Sequence, residues 1–308
     1  MAILYTAYLI VALIMLWKGA DNLVESAAKI AYTLGISQLV IGLTVVAFGT
    51  SAPEFVVTIN AALRGESNIS VSNVIGSNIF NLGFILGGVA IVRTIQTTKK
   101  LIYRDGMVLL ATVIAILIFL WDLHFSRWEA LVLFSGLFIY LMVLFIKKEP
   151  LEEVEIEPDR ATYKDYLRLV LSIAVVIIGG HFLVEGAVGL ARIIGISEWV
   201  IGVTIVAAGT SAPEFATSLL ATIRGHHGLS AGNLIGSDLF NLLGVLGLAG
   251  IIRPMTVTSH AHGSTIMLVG MIILVLILMR TGWKLSRWEG ILLVVINLIR
   301  WILDYIGG

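Results

Sequence analysis

Glu54 and Glu214 sit in nearly the same setting, "VVAFGTSAPEF" (45–55) and "IVAAGTSAPEF" (205–215). Each carboxylate follows a proline inside a long apolar run. An ionisable group at the centre of a bilayer costs about 2.5–3.5 kcal/mol even on lenient insertion scales, and marks function by default. Pro53 and Pro213 lack an amide hydrogen and clash with the turn before them, so a helix must break there. Gly49 lets the chain kink, and Thr50 and Ser51 are able to re-satisfy loosened backbone groups. Thr210 and Ser211 repeat the arrangement. The carbonyl of Gly49, four residues before Pro53, loses its partner, and the carbonyls near Ala47 and Ala207, beside the loosened turns, are expected to be freed as well. Irregular backbone at membrane depth survives only where protein buries it or where it lines a wet cavity. A protonated glutamate merely hydrogen-bonded in a helix bundle is the plain alternative. It does not explain why the break and the carboxylate recur together.

A second pair of segments supplies further oxygens. "SNVIGSNIFNLGFILGG" (72–88) carries Asn73, Gly76, Ser77 and Asn81, and "GNLIGSDLFNLLGVLGL" (232–248) carries Asn233, Gly236, Ser237 and Asn241. Ser77 and Asn81 are four apart and share one helix face, as do Ser237 and Asn241. The glycines permit close helix approach. The candidate ligands are thus Glu54, Glu214, Thr50, Ser51, Thr210, Ser211, Ser77, Ser237, Asn81, Asn241 and the carbonyls of Ala47 and Ala207. All are oxygens. Hard cations take such ligands, and Ca²⁺ accepts about 6–8 of them in irregular geometry. Transition metals favour nitrogen or sulfur. Two glutamates balance one divalent ion, or are shared among several Na⁺ ions.

The elements that position these residues are membrane spans. The chain of 308 residues is 58% hydrophobic and 13% charged, with a mean hydropathy of +0.99. Soluble domains carry roughly 25% charge, so the chain reads as an integral membrane protein. Net charge is zero and no basic block stands out, which argues against nucleic acid as a partner. The absence of cysteine excludes disulfides, thiolate metal sites and thiol catalysis. "MAILYTAYLIVALIMLW" has no positive n-region and no small-residue cleavage site, so it reads as a retained first span. A span needs about 20 apolar residues. Candidates fall at 2–17, 38–63, 71–96, 104–121, 127–146, 166–188, 198–223, 229–252, 263–281 and 286–304. "KKEPLEEVEIEPDRATYKD" (147–165) is the one clearly polar linker, a solvated acidic loop too short for a folded domain. With the N-terminus outside, 15 of the 20 lysines and arginines fall in inside loops. The positive-inside rule therefore puts both termini outside and the acidic loop in the cytoplasm.

An offset of 160 residues aligns the chain with itself. Residues 41–55 and 201–215 agree at 12 of 15 positions, and 72–88 and 232–248 at 9 of 17. "NLVES" (22–26) matches "FLVEG" (182–186), and "SRWE" occurs at 126–129 and again at 286–289. The expected organisation is a first five-helix repeat (1–148, motif 41–88), a short acidic linker (149–165) and a second five-helix repeat (166–308, motif 201–248). Five spans is an odd number, so the second half must enter the membrane from the opposite side. Inverted repeats with a midplane site between the halves are a hallmark of secondary transporters.

With "GTSAPE" twice, each followed by "GN-x-IGS-x-x-x-N" or a near copy of it, the chain resembles the cation/Ca²⁺ exchanger superfamily on its Na⁺/Ca²⁺ exchanger branch, of the prokaryotic type. The resemblance covers essentially the whole chain. It implies an all-α membrane fold of ten transmembrane helices in two inverted-topology five-helix repeats, with broken helices at the core. It further implies long, tilted first and sixth helices that slide against that core. The activity it implies is exchange of several Na⁺ for one Ca²⁺ without ATP. Carried over residue by residue, Glu54 and Glu214 become the central ligands. Thr50, Ser51, Ser77, Thr210, Ser211 and Ser237 become side-chain ligands, and the carbonyls of Ala47 and Ala207 complete Na⁺ sites. Relatives often pair Asn at one copy of the last motif position with Asp at the other. Here both are asparagine, Asn81 and Asn241, and the extra acid is Asp238, where the first copy has Asn78. Asp238 has three open roles: taking a proton, helping one ion site, or being neutralised elsewhere.

The expected function is Na⁺/Ca²⁺ antiport by alternating access, with Ca²⁺ extruded by the Na⁺ gradient from a prokaryotic cell. The nearest alternative is an H⁺/Ca²⁺ exchanger. A cation channel is a further class, but no filter loop or oligomer-building motif is visible. An enzyme is not expected: no HEXXH signature is present, and hydrolysis does not require acids that recur symmetrically. No cofactor and no obligatory oligomer is expected, only inorganic cations and the bilayer. His226, His227, His260 and His262 read as loop residues, His181 replaces Asp21 in the repeat, and Trp128 and Trp288 read as interfacial anchors.

Overall fold

The structure, a computed structural model, describes residues 1–146, 160–195 and 207–307. Most of the acidic linker and residues 198–206 of the expected span 198–223, including 201–206 of the second motif, lie outside the described residues. The rest is helical. In chain order the helices are α1 (Ala2–Leu34), α2 (Gln38–Thr50), α3 (Ala52–Arg64), α4 (Ser67–Val92), α5 (Leu101–Phe119), α6 (Arg127–Ile146) and α7 (Tyr163–Ile193). They continue with α8 (Ala207–Thr210), α9 (Ala212–Ile223), α10 (His227–Ile252), α11 (His260–Arg280) and α12 (Arg287–Gly307). Among the described residues seven helices are long and apolar enough to cross a membrane, and α2 with α3 forms one further span bent by 52°.

Several boundaries differ from those read off hydropathy, for local reasons. The first span, expected at 2–17, continues without a break to Leu34, so α1 has 33 residues. Polar residues such as Asp21 and Glu25 do not stop a helix whose other faces stay apolar. The first residues of α7 precede the expected start at 166, because Thr162 and Asp165 form a capping box. Asp165 Oδ2 accepts the Thr162 amide at 2.7 Å and its hydroxyl at 2.8 Å. This arrangement satisfies donors that a helix start leaves over. "SRWE" is the same device, at α6 and α12. Ser126 N donates to Glu129 Oε2 at 2.7 Å, and Ser286 N to Glu289 Oε2 at 2.7 Å. Trp128 and Trp288 between them are 79% and 81% exposed. His260 and His262 prove to lie in the first turn of α11 and His227 at the start of α10, not in loops.

Two short antiparallel ladders tie the halves together. β1 (Ile95–Gln96) pairs with β4 (Lys284–Leu285), and β2 (His124–Phe125) with β3 (Met255–Thr256). The 160-residue offset converts one ladder into the other: Ile95 meets Leu285, and Phe125 meets Met255. α1 and α7 lie side by side and antiparallel. A Cβ on Gly19 would sit 2.8 Å from Val176 Cγ2, and one on Gly179 would sit 3.2 Å from Leu16 N. α2 crosses α10 still more closely, because Gly42 and Gly232 each face the other's backbone. A Cβ on either would come within 2.6 Å of a carbonyl oxygen, of Leu229 and Leu39 respectively. The main apolar cluster is built on α4, α5, α6, α10 and α11, around residues such as Ile79, Leu82, Val113, Leu242 and Ile272.

Candidate cation site

Both proline breaks occur where the sequence places them. Ser51 (φ −79°, ψ 8°) and Ser211 (φ −90°, ψ 9°) are the single residues that interrupt their helices. Pro53 and Pro213 follow inside the first turns of α3 and α9, where a missing amide hydrogen does no harm. Glu54 and Glu214 stand in those same first turns, and both are fully buried. The positive end of each helix faces a carboxylate.

The two halves meet through crossed hydrogen bonds. Ser51 Oγ donates to Glu214 Oε1 at 3.0 Å, and Ser211 Oγ donates to Glu54 Oε1 at 2.9 Å. Each serine thus holds the carboxylate of the other copy. Thr50 lies 3.1 Å from Asn233 Oδ1 and 3.4 Å from Ser237 Oγ, so α2 and α10 share polar atoms at the core. The other oxygen of each carboxylate, Oε2, is buried and has no hydrogen-bond partner among the described residues.

α4 and α10 widen into π-helical turns at Asn81–Ile85 and Phe240–Leu246. Such turns concentrate at functional sites. Asn81 and Asn241 are buried there, and the Oδ1 of each is without a protein partner. Ser77 and Ser237 are buried one turn earlier. Among the described residues, the buried polar atoms left over on α3, α4, α9 and α10 include five carboxylate or amide oxygens, Glu54 Oε2, Glu214 Oε2, Asn81 Oδ1, Asn241 Oδ1 and Asp238 Oδ2, together with the Thr217 hydroxyl. Asp238 itself is fully buried, yet among the described residues no three His, Cys, Asp or Glu side chains gather as a metal cluster.

One expectation needs correction. The Ala47 carbonyl is not freed by the break: it accepts the Ser51 amide at 3.0 Å and lies 3.4 Å from Thr50 Oγ1. The carbonyl that faces the proline nitrogen, four residues on, is that of Gly49. Ala207, the equivalent of Ala47, is the first residue of α8. The ligand set as read from the sequence also left out the residues behind the glutamates. Asn73 Nδ2 donates to Thr58 Oγ1 at 2.9 Å and to the Glu54 carbonyl at 3.4 Å. Asn233 Nδ2 does the same to Ser218 Oγ at 2.9 Å and the Glu214 carbonyl at 3.4 Å. The signal was there: both asparagines recur at the 160-residue offset. A cavity of about 520 Å³ borders both breaks, lined by Pro53, Val57, Ile177, His181, Gly209 and Thr210 among others.

The sequence profile of the sodium/calcium exchanger proteins matches residues 4–146 and 164–300, both halves of the chain. The chain belongs to the sodium/calcium exchanger family. Relatives align along nearly the whole exchanger. CaxA of Alkalimonas amylolytica is 36% identical over 94% of this chain and 95% of its own. The sodium/calcium exchanger MaX1 of Methanosarcina acetivorans is 34% identical over 93% and 94%. A crystal structure of the sodium–calcium exchanger NCX_Mj, soaked with Na⁺ and no Ca²⁺, superposes with a TM-score of 0.85 at 33% identity, covering 97% of this chain and 98% of that one. The same protein has been soaked with Sr²⁺ and with Ca²⁺. The exchanger is accordingly an all-helical integral membrane protein from a family of transporters, not of enzymes.

Proposed function

We propose that this exchanger is a secondary active antiporter that moves Na⁺ and Ca²⁺ in opposite directions through one shared site, by alternating access. The observation that carries this reading is the crossed pair, Ser51 on Glu214 and Ser211 on Glu54, with both Oε2 atoms left over among unpartnered amide oxygens. Burying a charge without compensation is strongly destabilising, by several kcal/mol per ion. One Ca²⁺ balances both carboxylates, and Na⁺ ions balance them in turn. Glu54 and Glu214 are the central ligands. Thr50, Ser51, Ser77, Thr210, Ser211 and Ser237 add hydroxyls, Asn81 and Asn241 add Oδ1, and the carbonyls of Ala47 and Ala207 complete Na⁺ sites. The Ala47 carbonyl has two lone pairs; one accepts the Ser51 amide, and an ion would take the other in place of the 3.4 Å Thr50 contact. Because the competing ions use the same carboxylates, one departs as the other binds, and the uncompensated state is too costly to cross the membrane. That is exchange rather than leak.

The strand ladders support the inverted-repeat reading. β1 and β2 are separated by a single span, α5, so they lie at opposite membrane faces. β3 is the copy of β1, and β4 is the copy of β2. With parallel halves, β1 would share a face with β3; it pairs instead with β4. Inverted halves put β1 beside β4 and β2 beside β3. Ten spans in two inverted halves is the organisation this reading gives. The lysine and arginine distribution puts both termini outside a prokaryotic cell membrane. The cavity lined by Pro53, Gly209 and Thr210 borders both helix breaks.

Flux in proteoliposomes tests the proposal. An outward Na⁺ gradient is expected to drive Ca²⁺ uptake. Uptake that ignores Na⁺ and follows a pH gradient would assign the proton as counter-ion and overturn Na⁺ coupling. Fast uncoupled flux would make the protein a channel.

A further inference from the structure

At one buried polar position the two motifs differ in charge, with Asn78 in the first and Asp238 in the second. The chemistry differs, but the contact is shared. Asp238 Oδ1 accepts the Asn81 Nδ2–H at 3.1 Å, and Asn78 Oδ1 accepts the Asn241 Nδ2–H at 3.3 Å. Each residue reaches across to the amide of the other half. An amide side chain has one donor end and one acceptor end. Once the donor end of Asn81 is committed to Asp238, its carbonyl end points elsewhere. Among the described residues Asn81 Oδ1 and Asn241 Oδ1 are both left without a partner, as is Asn297 Oδ1 on α12. An amide free to turn over would present N–H groups to a cation and repel it. Asn78 is itself held in register, because its Nδ2 donates to the Asp238 backbone carbonyl at 3.2 Å and leaves its Oδ1 for Asn241.

We propose that Asp238 is a positioning residue: it acts on the transported ion through Asn81, whose side-chain oxygen it turns toward the site, as Asn78 does through Asn241. This deepens the proposed cation site and rests on that reading. Asp238 Oδ2 has no protein partner, so direct ligation is the competing account. The repeat itself supplies the discriminating variant. Asn78 already performs this task with an amide oxygen, so an asparagine at position 238 keeps the acceptor while removing the charge.

The test measures Ca²⁺ binding by calorimetry on the purified full-length protein and the Ca²⁺ dependence of flux in liposomes. Asp238→Asn is expected to stay within about threefold of the unsubstituted protein in Ca²⁺ affinity. Asp238→Ala is expected to weaken Ca²⁺ binding by about 10–100-fold, as loss of a ligand-orienting partner does, with little change in the maximal rate. Asn81→Ala should lose a similar factor, and the double variant Asp238→Ala/Asn81→Ala little more than either alone. Asn78→Ala should reproduce the loss through Asn241, which keeps the idea testable if Asp238→Ala does not fold. An Asp238→Asn protein as weak as Asp238→Ala, or additive losses in the double variant, would overturn the positioning role alone. Failure of the unsubstituted protein to bind Ca²⁺ would overturn the cation-site reading with it.

Discussion

Ser51 and Glu214 are 163 positions apart in the chain and 3.0 Å apart in space, and Ser211 stands 2.9 Å from Glu54 in the mirrored contact. Each serine belongs to the break of one half and secures the carboxylate of the other. Neither half alone holds a complete site. The two contacts are chemically equivalent, so their loss should be too. A hydrogen bond to a charged group contributes about 1.5–3 kcal/mol. Ser51→Ala and Ser211→Ala are each expected to raise the half-saturating Ca²⁺ concentration roughly tenfold or more in flux assays. A large loss in one and none in the other would sink the shared-site account.

Glu54→Gln and Glu214→Gln keep the side-chain volume and one acceptor oxygen but remove the charge. Each is expected to abolish Ca²⁺ transport while size-exclusion profile and helix content stay unchanged. High-affinity Ca²⁺ exchange retained in either variant would remove the central claim.

Asp21 on α1 forms an ion pair with Arg224 at the end of α9, fastening the long helix pair to the core. The repeat counterparts are His181 and Arg64, which do not make an acid–base pair. The fastening is therefore one-sided. Both side chains of the pair are partly exposed, at 30% and 42%. Such pairs contribute about 0–1 kcal/mol. Asp21→Asn is expected to shift the balance between the two access states by about fivefold or less, away from the state described here. The chain has no cysteine, so single introduced cysteines at the two ends report accessibility without background. Labelling identical to the parent at both ends would show that the pair has no such role.

His226 lies in the turn between α9 and α10, with Nδ1 3.0 Å from Gln38 Oε1. Burial first, then the charges of Arg224 and His227, hold its imidazole below the ordinary 6.5. The folded protein thus prefers the neutral ring. The stability this contributes is present above about pH 6.5 and is lost as pH falls through the lower folded-state value. Thermal unfolding in detergent should move to lower temperature between about pH 6.5 and 5. His226→Gln should flatten that dependence, and an unchanged slope would remove His226 from the explanation.

Much of the fold was legible from hydropathy and from the repeat, because a bilayer demands long apolar helices and tolerates a buried carboxylate only for a reason. The ends of helices were less so. Hydropathy windows do not see capping, and the boxes at Thr162, Ser126 and Ser286 are side-chain hydrogen bonds that place a helix start. The break at Ser51 was foreseen, but not that the Ala47 carbonyl would keep the Ser51 amide, since that depends on how far the last turn unwinds. Asn73 and Asn233 were visible as motif residues, while their task of bracing the glutamate backbone emerged only when α3 met α4 and α9 met α10.

The sequence by itself determined the membrane solvent, the paired proline–glutamate breaks, the oxygen-only chemistry and the twofold repetition. These depend on residue type and spacing along one chain. The tertiary structure alone decided which half completes which: that Ser51 serves Glu214, that β1 pairs with β4, and that Asp238 faces Asn81. Those relationships join residues 157 to 190 positions apart, and only packing one half against the other sets the distance between them.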